Sequence, residues 1–125
     1  WDLFSAVHAD IPPGSTVVVK TGIALEIPHG WYGQIKSRSG LGAKGLIVTA
    51  GVIDSGYRGE VGGVLINGKR AEDTDLKDNG HFRFSPGDKI AQLVILPVPD
   101  VTFEVAEELN DTARGDNGFG STGGR

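Results

Sequence analysis

The chain contains no cysteine among its 125 residues. A disulfide framework, a thiolate metal centre and a thiol nucleophile are therefore all excluded. Nor does any stretch approach the roughly 20 consecutive apolar residues of a membrane span, and no membrane partner is expected. The three histidines, His8, His29 and His81, stand too far apart to give the paired spacing of a zinc site. Basic excess is missing as well. With a formal net charge of −4 the chain lacks the basic stripe that a stable, sequence-independent grip on nucleic acid requires. A small anionic ligand stays open, since local cations and backbone amides hold phosphates on acidic proteins. No secretory signal is visible; the chain opens at Trp1 without a methionine, and further residues are expected upstream.

Glycine is what the sequence has in excess, with 20 residues, and glycine marks sharp turns and close backbone approaches. Between these breaks lie short runs with strand character. Strands are predicted at Thr16–Lys20, Ile23–Ile27 and Trp31–Lys36, then at His81–Phe84, Lys89–Leu96 and Val101–Val105. Leu46–Thr49 and Glu60–Asn67 read as two arms of a hairpin around the Gly51–Gly59 loop. Ser37–Gly45 has room for one short helical turn at most, and Gly68–Gly80 reads as an exposed polar loop. Short strands separated by turn signals predict an all-β barrel or sandwich of one domain.

Five segments could carry chemistry, and each has a plainer reading beside the functional one. Arg114–Gly124 (RGDNGFGSTGG) offers a cation, the hydroxyls of Ser121 and Thr122 and a glycine-rich backbone able to cradle an anion. A loose tail is the plain alternative, but it leaves the lone aromatic Phe119 without a duty, whereas stacking on a base supplies one. Ser37–Gly42 (SRSGLG) combines Arg38 and Ser39 with a glycine amide, or is simply a serine-stabilised turn. In Gly51–Glu60 (GVIDSGYRGE), Asp54 either satisfies turn amides or orients and deprotonates a water, and Tyr57 either packs a strand edge or faces a sugar. Gln92, in Gly87–Leu93 (GDKIAQL), is an amide within an apolar run that must satisfy backbone or reach a site. Asp2 is a single acid in the apolar opening WDLFSA.

Together and in this order, the five segments resemble the motifs of the trimeric dUTPase family, nearly end to end; the third and fifth are the most specific. The resemblance implies an all-β, distorted jelly-roll-like fold over residues 1–109, with a flexible glycine-rich C-terminal arm at 110–125. It implies a homotrimer with sites at subunit interfaces, hydrolysing dUTP to dUMP and pyrophosphate with Mg²⁺. Such an activity limits uracil incorporation into DNA and supplies dUMP for thymidylate synthesis. Asp54 becomes the base for water attacking the α-phosphorus, and Tyr57 lies under the deoxyribose, where a 2′-hydroxyl would clash. Uracil is read by the hairpin backbone from Gly51 through Val52 and Ile53, and at Gly62. Arg38, Ser39 and Gly40 hold phosphates, and Gln92 supports them. In the arm, Phe119 and Gly120 cover the uracil while Arg114, Ser121 and Thr122 take the terminal phosphates. Mg²⁺ rides mainly on the phosphates, with Asp2 contacting it through water, as expected of an ion that keeps several waters.

Three departures accompany the likeness. Ser37 stands where the family's second motif usually begins with proline. The Gly68–Gly80 loop is longer and more acidic than usual, a place for a lineage-specific contact, and the family's first strand would lie upstream of Trp1. A dCTP deaminase on the same scaffold is the nearest rival, but that branch lacks the Phe-containing arm and uses a glutamate as proton shuttle. A non-catalytic binding module, the rival of another class, would be marked by loss of the aspartate or the arm.

Overall fold

The computed structural model describes residues 1–72, 77–121 and 123–124. Among these residues nine strands, one short α-helix and a 3₁₀ turn follow in chain order: β1 (Asp2–Phe4), β2 (Ala9–Ile11), β3 (Thr16–Lys20), β4 (Trp31–Lys36), α1 (Ser39–Ala43), β5 (Leu46–Thr49), β6 (Val52–Ile53), β7 (Gly62–Asn67), the 3₁₀ turn (Lys77–Gly80), β8 (Phe82–Phe84) and β9 (Lys89–Pro97). They form a four-stranded sheet β1-β9-β4-β6, a three-stranded sheet β3-β7-β5 and the pair β2-β8, with every pairing antiparallel. Residues from all three sheets meet in one core, among them Leu3, Ile35 and Leu93 from the first, Val19 and Leu65 from the second, and Ile11 and Phe82 from the third. This is a jelly-roll-like β-sandwich; no closed barrel forms. Each large aliphatic side chain fully withdrawn from water contributes about 1.5–3 kcal/mol, so the alternation along β7, with Gly63, Leu65 and Asn67 inward, sets its register.

Asn67 is the polar exception in that core, with no exposed surface. Its Nδ2 donates to the carbonyls of Ile11 at 2.9 Å and Gly80 at 2.7 Å, and its Oδ1 accepts from the Lys69 amide at 3.0 Å. One amide thus ties the end of β7 to β2 and to the start of β8, and anchors both ends of the 68–80 loop. Residues 73–76 of that loop lie outside the described residues.

The segment 50–61 is a crossover between sheets. After β5 the chain leaves the three-stranded sheet through two consecutive left-handed residues, Ala50 (φ 58°) and Gly51 (φ 97°). A side chain at Gly51 would meet the Ile35 carbonyl at 3.0 Å, so glycine is needed there for both conformation and space. The chain then pairs with β4 as β6 and returns through the 54–60 tip to β7, which pairs with β5.

Strands β3, β4 and β5 have the predicted bounds, β9 extends by one residue, and the β5–β7 hairpin forms with its second arm starting at Gly62 instead of Glu60. Two predictions are corrected. Ile23–Ile27 and Val101–Val105 alternate apolar and polar residues but are not strands. Along the first, the Leu25 carbonyl accepts from Arg58 and the Ile23 carbonyl from Val61, so no continuous ladder can form. The second has no strand edge beside it, and Phe103 is 97% exposed; an alternating pattern makes a strand only where a partner supplies the hydrogen bonds.

Removing the Asn67 amide strands two buried carbonyls and one N–H. Asn67→Ala should therefore cost about 2–4 kcal/mol, read as a lower urea midpoint with an unchanged slope at fixed protein concentration.

Candidate active site

One group of the expected site residues gathers where β1, β9 and the end of β4 lie side by side. Asp2 pairs across the sheet with Gln92, and Gln92 with Lys36. The Gln92 side chain donates through Nε2 to the Ser37 carbonyl at 2.8 Å, while the Ser37 hydroxyl oxygen accepts from the Val48 amide at 3.2 Å. The segment leading into α1 is thereby held from both sides, and Ser37 supplies a side-chain tether that proline at this position would lack. Arg38 follows, its Nε 3.5 Å from Asp2 Oδ1, and Lys89 Nζ lies 3.0 Å from Asp2 Oδ2. The hydrogen bond from Lys89, with the positive charges of Lys89 and Arg38, holds the Asp2 carboxyl below its ordinary value of 3.8. Ser39 and Gly40 are exposed at the start of α1.

A second group belongs to the crossover. Asp54 directly follows β6 and is exposed; its carbonyl accepts from the Tyr57 amide at 3.1 Å, closing a turn. It borders a cleft of about 170 Å³ with His29, Trp31, Tyr32, Ser55 and Asp100. The Tyr57 ring is 45% exposed and its hydroxyl donates to the Glu60 carbonyl at 2.9 Å. Val52 is exposed and the Ile53 side chain is buried in the core, so Ile53 can offer a ligand only its backbone. The Gly51 carbonyl already accepts from the Ile35 amide at 2.8 Å. Gly62 pairs with Lys20 in the neighbouring sheet.

These two groups do not meet within one chain. Because Ile53 pairs with Gly33, Asp54 lies level with Tyr32, six residues before Arg38. Extended chain rises about 3.4 Å per residue, which separates Asp54 from Arg38 by roughly 20 Å. The third group, on the arm, stands apart from both. Arg114 Nε donates to the Asn117 carbonyl at 2.9 Å, Phe119 is fully exposed with φ 52°, and Gly120 and Ser121 lie in a local turn beyond it. Thr122 lies outside the described residues. An apolar trough of about 390 Å³, lined by Trp1, Leu3, Ile23, Leu25, Ile27 and Leu93, touches Asp2 but neither Asp54 nor Arg38.

Sequence reasoning missed two side chains that shape these groups. Lys89 was visible in the GDK turn, but only the β1–β9 pairing brings it to Asp2. Arg58 donates through Nη1 to the Ser55 carbonyl at 2.7 Å and the Leu25 carbonyl at 3.5 Å, with Nε 3.8 Å from Glu26. It therefore fastens the hairpin tip to the 21–28 segment, a contact no local pattern announces.

A jelly-roll-like sandwich that presents a carboxylate on a crossover hairpin, and a serine–arginine segment beside its central strands, places the chain in a class of small all-β proteins. Comparison with known proteins narrows that class: the dUTPase family model matches residues 1–123, and the chain belongs to this family. A deoxyuridine 5′-triphosphate nucleotidohydrolase of Crocosphaera subtropica is 47% identical over 126 residues, spanning 98% of this chain and 82% of that protein. The protein of the same description from Rabbitpox virus is 42% identical over 123 residues, covering 98% and 78%. Among solved structures, a mutant dUTPase of Staphylococcus bacteriophage 80alpha with dUpNHpp superposes with a TM-score of 0.87 at 32% identity, covering 98% of this chain and 84% of that one. A mutant dUTPase from phage phi11 of S. aureus, described with a structural Mg(II) ion, has a TM-score of 0.77 at 33% identity, covering 86% and 82%.

The lowered Asp2 value gives a signed pH dependence. Its contribution to stability is fully present above the ordinary 3.8 and is lost as pH falls through the lower folded-state value. The melting temperature of Asp2→Asn should therefore lie below that of the parent near neutral pH. The gap should close as both are acidified below about pH 3.8, and a gap that widened with acid would refute the pairing.

Proposed function

We propose that the chain converts dUTP to dUMP and pyrophosphate by direct attack of water on the α-phosphorus, with Asp54 taking the proton from that water. Hydrolysis of dUTP is the activity of the family to which the chain belongs. In the step assigned to Asp54, a bond forms from the water oxygen to the α-phosphorus and the bond from that phosphorus to the bridging oxygen breaks. Pyrophosphate leaves with the electron pair. The observation that carries the assignment is an exposed carboxylate fixed at a closed turn, bordering a cleft, on the segment that crosses between sheets. Catalysis of this kind is mainly positioning and charge neutralisation.

The substrate is gripped from several sides. The backbone at Gly51, Val52, Ile53 and Gly62 reads uracil, and Tyr57 faces the deoxyribose. Arg38, Ser39 and Gly40 hold phosphates on a segment braced by Gln92. The arm at 110–125 closes over the nucleotide, with Phe119 and Gly120 against the base and Arg114, Ser121 and Thr122 on the terminal phosphates. Groups that act on one phosphorus must stand within a hydrogen bond or two of it, and roughly 20 Å of β4 separates Asp54 from Arg38 in a single chain. The site is therefore completed between subunits of a homotrimer. Two unpartnered features support an assembly of copies: the exposed alternating stretch Val101–Val105 and the apolar trough beside Trp1.

The donor set fits Mg²⁺ carried by the nucleotide. Among the described residues no group of three His, Cys, Asp or Glu could hold an ion, and Asp2 is the carboxylate that adjoins the phosphate-holding arginine. Asp2 would contact the ion through water, and the bound ion would supply neutralisation of phosphate charge.

Pyrophosphate release from dUTP, compared with dTTP, dCTP and UTP, tests the activity; ammonia release from dCTP would point to the deaminase instead. Asp54→Asn should lower kcat by about 10²–10⁴ while leaving dUpNHpp binding by calorimetry nearly intact; activity within a few-fold of the parent would remove Asp54 as the base. The shared site has its own test. Arg38→Ala and Asp54→Asn are each expected to be nearly inactive, but unfolded and refolded together at equal amounts they should recover about one quarter of parental activity. In a randomly mixed symmetric trimer about one interface in four unites an intact Asp54 with an intact Arg38, and no recovery would confine the site to one chain.

A further inference from the structure

Gly59 sits in the crossover with no role yet attached to it, and its surroundings are unlike those of the other glycine at the same tip. A Cβ built at Gly59 would lie 2.6 Å from Cζ and 2.8 Å from Cε1 of Tyr57, closer still to the hydroxyl, while one built at Gly56 meets nothing within 4 Å. Neither residue is left-handed, so backbone conformation demands glycine at neither. The three atoms nearest the Cβ built at Gly59 all belong to the Tyr57 side chain.

We propose that Gly59 is a specificity-determining positioning residue: the missing side chain is the seat on which the Tyr57 ring lies, and this seat holds the ring where it separates deoxyribose from ribose. The inference rests on Tyr57 being the reader of the sugar. Three contacts make the seat rigid. The Tyr57 hydroxyl donates to the Glu60 carbonyl at 2.9 Å, the Tyr57 amide donates to the Asp54 carbonyl at 3.1 Å, and Arg58 donates to the Ser55 carbonyl at 2.7 Å. Two of these bonds hold the backbone of the tip without the ring, and the hydroxyl end of the ring is held by the Glu60 carbonyl and lies against residue 59. A single methyl there cannot coexist with the ring. Because the displaced atoms are the far end of a half-exposed side chain, the ring swings away and the fold stays as it is. A steric wall against one hydroxyl works only if the wall is immobile; a ring free to rotate yields to the extra oxygen and rejects it weakly.

The test compares Gly59→Ala with Gly56→Ala, which makes the same change of residue in the same loop into open space. The chain has two tyrosines, Tyr32 and Tyr57, so protein labelled with 3-fluorotyrosine gives two ¹⁹F resonances, and Tyr57→Phe identifies one of them. Gly59→Ala should shift the Tyr57 resonance and keep the melting temperature. Its preference for dUTP over UTP in kcat/KM should fall by about tenfold or more. Gly56→Ala should leave resonance and preference unchanged, and adding Gly59→Ala to Tyr57→Ala should cause no further loss. An unmoved Tyr57 resonance in Gly59→Ala overturns the seat. A moved resonance with undiminished preference, while Tyr57→Ala loses preference, overturns the role of Gly59 in specificity. If Tyr57→Ala itself keeps the preference, the sugar-reading assignment of Tyr57 fails, and the specificity proposal fails with it.

Discussion

The antiparallel ladder between β4 and β9, running from Trp31↔Pro97 to Lys36↔Gln92, is the constraint on which the other parts depend. Its length sets how far apart the two ends of β4 are held. At one end β6 pairs alongside and brings Asp54 level with Tyr32; past the other end the chain turns into the segment carrying Arg38. The same ladder positions Gln92 to brace Ser37, and β1 adds Asp2 on the far side of β9. A stiff strand is well suited to keeping apart groups of opposite charge that would otherwise pair with each other. Asp54 does not quench Arg38 within its own chain.

Charge within the phosphate-side group follows the same logic on a smaller scale. Arg38 and Lys89 both face Asp2, so the two cations share one counterion. Partial exposure keeps such pairs weak.

Much of the fold could be read from the sequence because turn residues bracket short runs of strand-forming side chains. Thr16–Lys20, Trp31–Lys36 and Leu46–Thr49 are such runs, and they are strands with those bounds. Strands β1 and β2 are three residues each, too short for any period to show. Ile23–Ile27 and Val101–Val105 have the pattern without the strand: carbonyls of the first bond to Val61 and Arg58 outside any ladder, and among the described residues no strand edge lies beside the second. In the candidate site, the ordered motifs drew attention to Asp54, Arg38 and the arm. The pairings that give Lys89, Arg58 and Gly59 their contacts depend on sheet register and on side-chain direction, which no local window contains.

The exposed stretch Val101–Val105 bears on how the chain avoids uncontrolled self-association. Five residues rich in β-branched and aromatic side chains, bare of partners, are the kind of segment that stacks on its own kind into cross-β aggregates. Here Glu104 lies inside the stretch and Glu107, Glu108 and Asp111 follow it, so in-register stacking would line up like charges and be repelled. The new chain thus carries a segment prone to self-association together with the acidic gatekeepers that restrain it.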